Sequence, residues 1–195
     1  IVRVNCTLYG SLGATGIGHG TPDAVVVGLQ GHEPETVEPA EVRAAWTNWT
    51  EGRALVLDGT RAVPFDKADV EFAPRTRLPG HPNAMTLRAY DSMAMDASPL
   101  VSETYYSVGG GFIRRDGEPP RVSAHPFPLG FSDAASLLDV CDERGITIAE
   151  AARVNEEALR TDTEIAAGLD RIWDAMASCV NAGCRACSRS SGARP

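Results

Sequence analysis

The chain has 195 residues, 43% apolar and 23% charged, with a formal net charge of -8; these are the values of a globular protein able to bury a sizeable core. The acidic balance argues against a nucleic-acid surface, and no apolar run reaches the ~20 residues that span a bilayer. Of the 18 basic residues only Lys67 is a lysine. No Gly-Lys-Ser/Thr tripeptide exists for a P-loop. A pyridoxal Schiff base would need Lys67, which reads as part of an exposed turn, Phe65-Asp66-Lys67-Ala68. A strand pattern starts at Ile1, which is not an initiator Met, so a piece of something longer is expected.

Ile1 to Tyr9 alternate as a strand, with Cys6 as a small core hydrophobe. Gly10 to Gly20 holds five glycines in eleven residues and reads as a loop. Thr21 is a good N-cap, followed by Pro22 and Asp23, so a helix is expected although Val25, Val26 and Val27 favour a strand. Strand, glycine loop and helix together suggest an anion site at the helix N-terminus by Thr21, where His19 could bind a carboxylate. Gly16-x-Gly18 has no third glycine at dinucleotide spacing, which argues against nicotinamide binding. Pro39 begins a short helix expected to contain Trp46 and Trp49, and Arg53 to Val63 reads as a hairpin around Asp58-Gly59. Val70-Glu71-Phe72, Met85 to Tyr90 and Val101 to Val108 alternate as strands. Gly109-Gly110-Gly111 then marks either a bulge or a close backbone approach to a ligand.

From Phe131 the pattern turns helical. Ser132 is placed as the cap of a helix ending at Arg144 before Gly145. Thr147-x-x-Glu150 and Thr161-x-x-Glu164 are capping boxes that open two more, the last running to about Ala182 and stopping at Gly183. Ile165, Leu169, Ile172, Trp173 and Met176 form an apolar stripe read as packing. Sheet first and helices after favour an α+β fold.

Five cysteines, an odd number without secretory features, point to a reducing compartment and a cytoplasmic protein. Cys141 reads as core. Cys179-x4-Cys184-x2-Cys187 has the spacing of three ferredoxin ligands but straddles an expected helix end, so a metal role is not assigned. His32 reads as solvated and His125, between Ala124 and Pro126, as a turn residue. His81 and Asn83, two apart on an extended segment before a strand, can address one small polar ligand together.

Several of these motifs are shared with one family. Tyr9 to Val25, Gly28-Leu29, Pro34-Glu35-Thr36-Val37, His81-Pro82-Asn83-Ala84-Met85, Glu103 to Phe112, Pro126-Phe127-Pro128, Asn155-Glu156 and Ile172 to Met176 with Cys179-Val180 resemble the β domain and helical linker of the iron–sulfur L-serine dehydratases over about residues 1 to 183. The family usually shows His-x-Asn-Gly-Met where this chain has Ala84. The resemblance implies a two-layer α+β domain like the allosteric-substrate-binding domain of some phosphoglycerate dehydrogenases, over 1-130, a helical linker over 131-183, and an aberrant or disordered tail over 184-195. It implies elimination of water from L-serine to give pyruvate and ammonia, with a [4Fe-4S] cluster whose ligands belong to a second, α domain not found in this chain. The family's Ser-Ser-Ser-His-Thr segment is also missing, and the tail from Cys184 departs from the family, as a truncation or frameshift would make it. His81 as a catalytic group, Asn83, Ser107 and Gly109, Gly110 and Gly111 as substrate-binding groups, and His19 and Thr21 as an effector site follow from the resemblance. L-serine, the missing α domain and a second copy are the implied partners, with no nucleic acid and no membrane. The fragment alone is expected to be inactive. The rival readings are a serine- or small-anion-sensing domain without catalysis and a structural dimerisation unit.

Overall fold

The computed structural model describes residues 1–119 and 127–191, with the side chains of 186–191 left out. His125 and Pro126 lie outside the described residues. The chain divides into two compact units, Ile1–Pro120 and Arg121–Pro195.

The first unit is built on a five-stranded mixed sheet of β1 (Arg3–Tyr9), β4 (Val70–Ala73), β5 (Asn83–Tyr90), β6 (Val101–Gly109) and β7 (Phe112–Arg115), in the order β4-β1-β5-β6-β7. Only β1 and β4 run parallel; every other pair is antiparallel. The alternation read in β1 puts Val4, Cys6 and Leu8 into the core, and their partners Met85, Leu87 and Ala89 pack against it. Burial pushes the Cys6 thiol up to about 12, so it acts as a small hydrophobe. Leu55 and Val63 complete this core from the hairpin of β2 (Ala54–Leu57) and β3 (Arg61–Pro64), which turns at Asp58-Gly59-Thr60 as expected.

Two expectations for the glycine segment change. Gly10–Thr15 is a short helix, α1, rather than a loop, and it packs against β1, β4 and β5; tertiary contact overrides the poor helix propensity of glycine. The second helix, α2 (Thr21–Leu29), is capped by Gly20, so Thr21 is its first residue and not its cap. Its three valines are all buried, which outweighs their preference for a strand. Asp23 does more than complement the helix dipole. It is itself buried, and its Oδ1 accepts the backbone N–H of Trp46 at 2.8 Å and of Thr47 at 3.0 Å.

A third difference concerns the segment that those bonds hold. The helix begun at Pro39 is only one turn, α3 (Pro39–Val42), and both tryptophans lie beyond it, Trp46 in a turn and Trp49 just after that turn. Trp49 packs edge-on against Phe65, ring centroids 5.2 Å apart, and donates Nε1–H to the Phe65 carbonyl. Changing Asp23 to Ala leaves two backbone donors without an acceptor and is expected to destabilise the chain by roughly 2–4 kcal/mol. Urea unfolding monitored by tryptophan fluorescence reads this directly; a loss below about 0.5 kcal/mol would contradict it.

The second unit contains α4 (Ala134–Arg144), α5 (Ile148–Glu157) and α6 (Asp162–Ser191) around Leu129, Cys141 and Ala151. Asp133, not Ser132, caps α4, closing a box with Ser136; Thr147 with Glu150 and Thr161 with Glu164 make the other two boxes. Buried Asn155 accepts the Leu129 N–H and donates to the Leu129 carbonyl, both at 2.9 Å. The final helix passes Gly183 and continues to Ser191, and in its stripe Ile165 is buried while Leu169, Ile172, Trp173 and Met176 are exposed. The packing expected of the whole stripe is therefore found at Ile165 alone among these five. No helix among the described residues is long and apolar enough to cross a membrane.

Candidate functional site

The sheet brings the motif residues to one end of its central strands. β1 ends where β5 begins, and Gly10 bridges Asn83. Ala84 pairs with Tyr106, so Asn83 and Ser107, each one residue further out, lie on the same face beside that pair. Ser107 in turn pairs with Ile113, and the β6–β7 connection at Gly109-Gly110-Gly111 has positive φ at all three glycines and a register shift after Ser107. The triplet is thus a bulge and a tight turn at the same end of the sheet as Asn83.

His81 stands just before β5 and is half-buried, with Leu78 bridged to it across the turn. Its Nδ1 accepts the backbone N–H of Asn83 at 3.1 Å. An imidazole that accepts at Nδ1 carries its proton, in the neutral form, on Nε2. The ring is therefore presented as an Nε2–H donor, a point the spacing of His81 and Asn83 did not reveal.

The glycines of the first motif serve this turn. Gly10 has φ +50, and a Cβ there would meet the Pro82 carbonyl oxygen at 2.2 Å. Gly10 N–H also donates to the Thr76 carbonyl at 2.9 Å, and Ser11 N–H to Pro82 at 3.2 Å. The start of α1 is packed directly onto the segment that leads to His81. It holds that segment in place.

A polar network lies beside it on the opposite face of the sheet from the core. Arg88 donates to Thr7 Oγ1 at 2.9 Å and to the Tyr9 hydroxyl at 3.2 Å, Thr7 donates to Glu71 at 3.0 Å, and Thr86 bonds Thr104 at 2.8 Å. Burial opposes ionisation of Tyr9, but hydrogen bonds from Thr86 and Arg88 and the charge of Arg88 outweigh it and hold the phenol below its usual range. None of these groups was singled out from the sequence, because cross-strand neighbours are set by register and not by local spacing.

His19 and Thr21 line different clefts. His19 is exposed, bonds back to the Thr15 carbonyl through Nδ1, and lines a cleft of about 470 Å³ with Asp23 and Arg43. Thr21 lines a different, apolar cleft with Met85 and Leu87. Neither cleft includes His81, Asn83 or Ser107 among its lining residues.

Among the described residues no three His, Cys, Asp or Glu side chains converge as metal ligands. Cys6 and Cys141 are buried, while Cys179 and Cys184 are exposed on α6. Five residues apart on a helix, those two project roughly 140° from each other around the axis. The side chain of Cys187 lies outside the described residues. The described residues thus do not fit an iron–sulfur cluster.

Comparison with known proteins accounts for the shared motifs. Residues 1–118 match the family model described as serine dehydratase beta chain. The chain is 37% identical over 174 residues to an L-serine dehydratase of Mycobacterium tuberculosis, covering 88% of this chain and 37% of that protein. It is 38% identical over 193 residues to an L-serine dehydratase of Streptomyces coelicolor, covering 94% and 41%. With L-serine dehydratase TdcG of Escherichia coli it shares 40% over 174 residues, covering 87% and 37%. The chain spans about two fifths of the length of these relatives. With the match running through β1, the His81 turn and the β6–β7 glycines, the chain belongs to the serine dehydratase beta-chain family.

Proposed function

We propose that this chain supplies one wall of the active site of an iron–sulfur L-serine dehydratase and is inactive by itself. The reaction breaks the Cα–H and Cβ–OH bonds of L-serine, releasing water and leaving 2-aminoacrylate. Its imine tautomer is hydrolysed to pyruvate and ammonia. The supporting observation is that the turn of His81, the start of β5 and the glycine turn after Ser107 lie at one end of the sheet. In this reading His81 Nε2–H donates to the carboxylate of L-serine, and the Asn83 amide and Ser107 hydroxyl add hydrogen bonds. The open backbone at Gly109 to Gly111 lets the substrate approach closely. A ring whose Nδ1 is already engaged and whose Nε2 is protonated suits binding a carboxylate better than removing the α proton. The [4Fe-4S] cluster implied by the family is assigned to polypeptide outside this chain, since the residues described here do not fit it.

The test is a chimera in which residues 1–183 replace the corresponding part of a full-length relative. Pyruvate formation by the anaerobically prepared chimera, with none by the 195-residue chain alone, is the expected outcome. A folded chimera that binds iron yet forms no pyruvate would remove the reading.

A second reading, a sensing domain like the allosteric-substrate-binding domain of phosphoglycerate dehydrogenases, draws support from the cleft that His19 shares with Arg43. Calorimetric titration of the chain with L-serine separates the two. Heat that persists in His81→Ala but disappears in Arg43→Ala would favour sensing.

A further inference from the structure

We propose that Tyr106, Arg114 and Asp116 form a clamp on Gly80 that positions His81, an inference that rests on His81 being a site residue as proposed above. Tyr106 is almost fully buried, and its ring lies so close to Gly80 that a Cβ there would meet the ring Cζ at 2.4 Å and the hydroxyl oxygen at 2.8 Å. Any side chain at position 80 would drive the turn off the sheet. Arg114 pairs with Tyr106 across β6 and β7. Its guanidinium sits 5.2 Å from the Tyr106 ring centroid and donates from Nη2 to the Gly80 carbonyl at 3.0 Å. The Tyr106 hydroxyl donates to Asp116 Oδ1 at 3.0 Å, which fixes the ring from its far end.

The clamp therefore holds the residue directly before His81 by its Cα and by its carbonyl oxygen, from two strands. Arg114 Nε is enclosed with no hydrogen-bond partner among the described residues. On the other side of the same segment, α1 presses Gly10 against Pro82. Held at residues 80 and 82, the imidazole between them is set in the orientation in which Nδ1 meets the Asn83 N–H. Tyr106, Arg114 and Asp116 are positioning residues in this scheme; none is assigned contact with substrate.

Hydrogen exchange of backbone amides in the ¹⁵N-labelled 195-residue chain, followed by NMR, tests the clamp without requiring turnover. His81→Ala removes the acceptor and calibrates the signal: Asn83 N–H should exchange at least about tenfold faster. Arg114→Ala and, from the opposite side, Gly80→Ala are each expected to raise Asn83 exchange by a similar factor. The amides of Leu8 and Thr86 should keep their wild-type rates, and Arg114→Lys, which still offers a donor, should restore most of the protection. Unchanged Asn83 exchange in both Arg114→Ala and Gly80→Ala overturns the clamp. Equal acceleration of Leu8, Thr86 and Asn83 in both variants overturns it too, by making the residues generally stabilising. An active chimera carrying His81→Ala would instead count against the proposed role of His81 and leave the exchange result standing.

Discussion

Replacing His81 by Ala in the active chimera is expected to lower kcat/KM for L-serine by roughly 10- to 100-fold, the effect of losing one hydrogen bond to a charged group. The larger share should appear in KM, because a donor to the carboxylate acts on the bound ground state as much as on the transition state. His81→Gln places an amide N–H near the former Nε2 and should recover part of the loss. The geometry sets these expectations: Nδ1 is engaged by the Asn83 N–H, which leaves a donor and not a base at the other nitrogen. Wild-type kinetics in His81→Ala would strike it from the site. A collapse of kcat with KM unchanged would make it the proton carrier instead.

The second large effect is on stability. Gly10→Ala is expected to cost about 2–4 kcal/mol, from a positive φ that L side chains resist and from a Cβ forced onto a backbone carbonyl. The obstruction at 2.2 Å is Pro82 oxygen, which belongs to a turn tied to Ser11 and cannot swing away as a long side chain would. Equilibrium urea unfolding of the 195-residue chain measures the loss. A midpoint within error of the wild type would mean that the turn relaxes freely, and the rigid support argued for His81 would go with it.

Much of the architecture was legible in residue order. The alternation of β1, β5 and β6, the Asp58-Gly59 turn and the capping boxes at Thr147 and Thr161 are local signals, and each formed the element it pointed to. Local signals failed where a distant partner decides. Gly10 to Thr15 lacks helix propensity and becomes helical against the sheet. Trp46 and Trp49 lie outside the expected helix, where Asp23, more than twenty residues earlier, accepts the backbone N–H of Trp46 and of Thr47 while Trp49 N–H donates to the Trp46 carbonyl.

The same division runs through the candidate site. Residue types and their order alone excluded P-loop chemistry, marked His81 with Asn83 and carried the family motifs, because those depend on which groups are present. Tertiary structure alone decided that Gly10 and Gly80 are points of close backbone and ring contact and that Arg114 reaches the Gly80 carbonyl. It also decided that His19 and Thr21 open onto different clefts. The physical reason is register: pairing joins Gly10 to Asn83, Ala84 to Tyr106 and Tyr106 to Arg114 across long stretches of chain, and the contacts that orient a side chain come from those pairings.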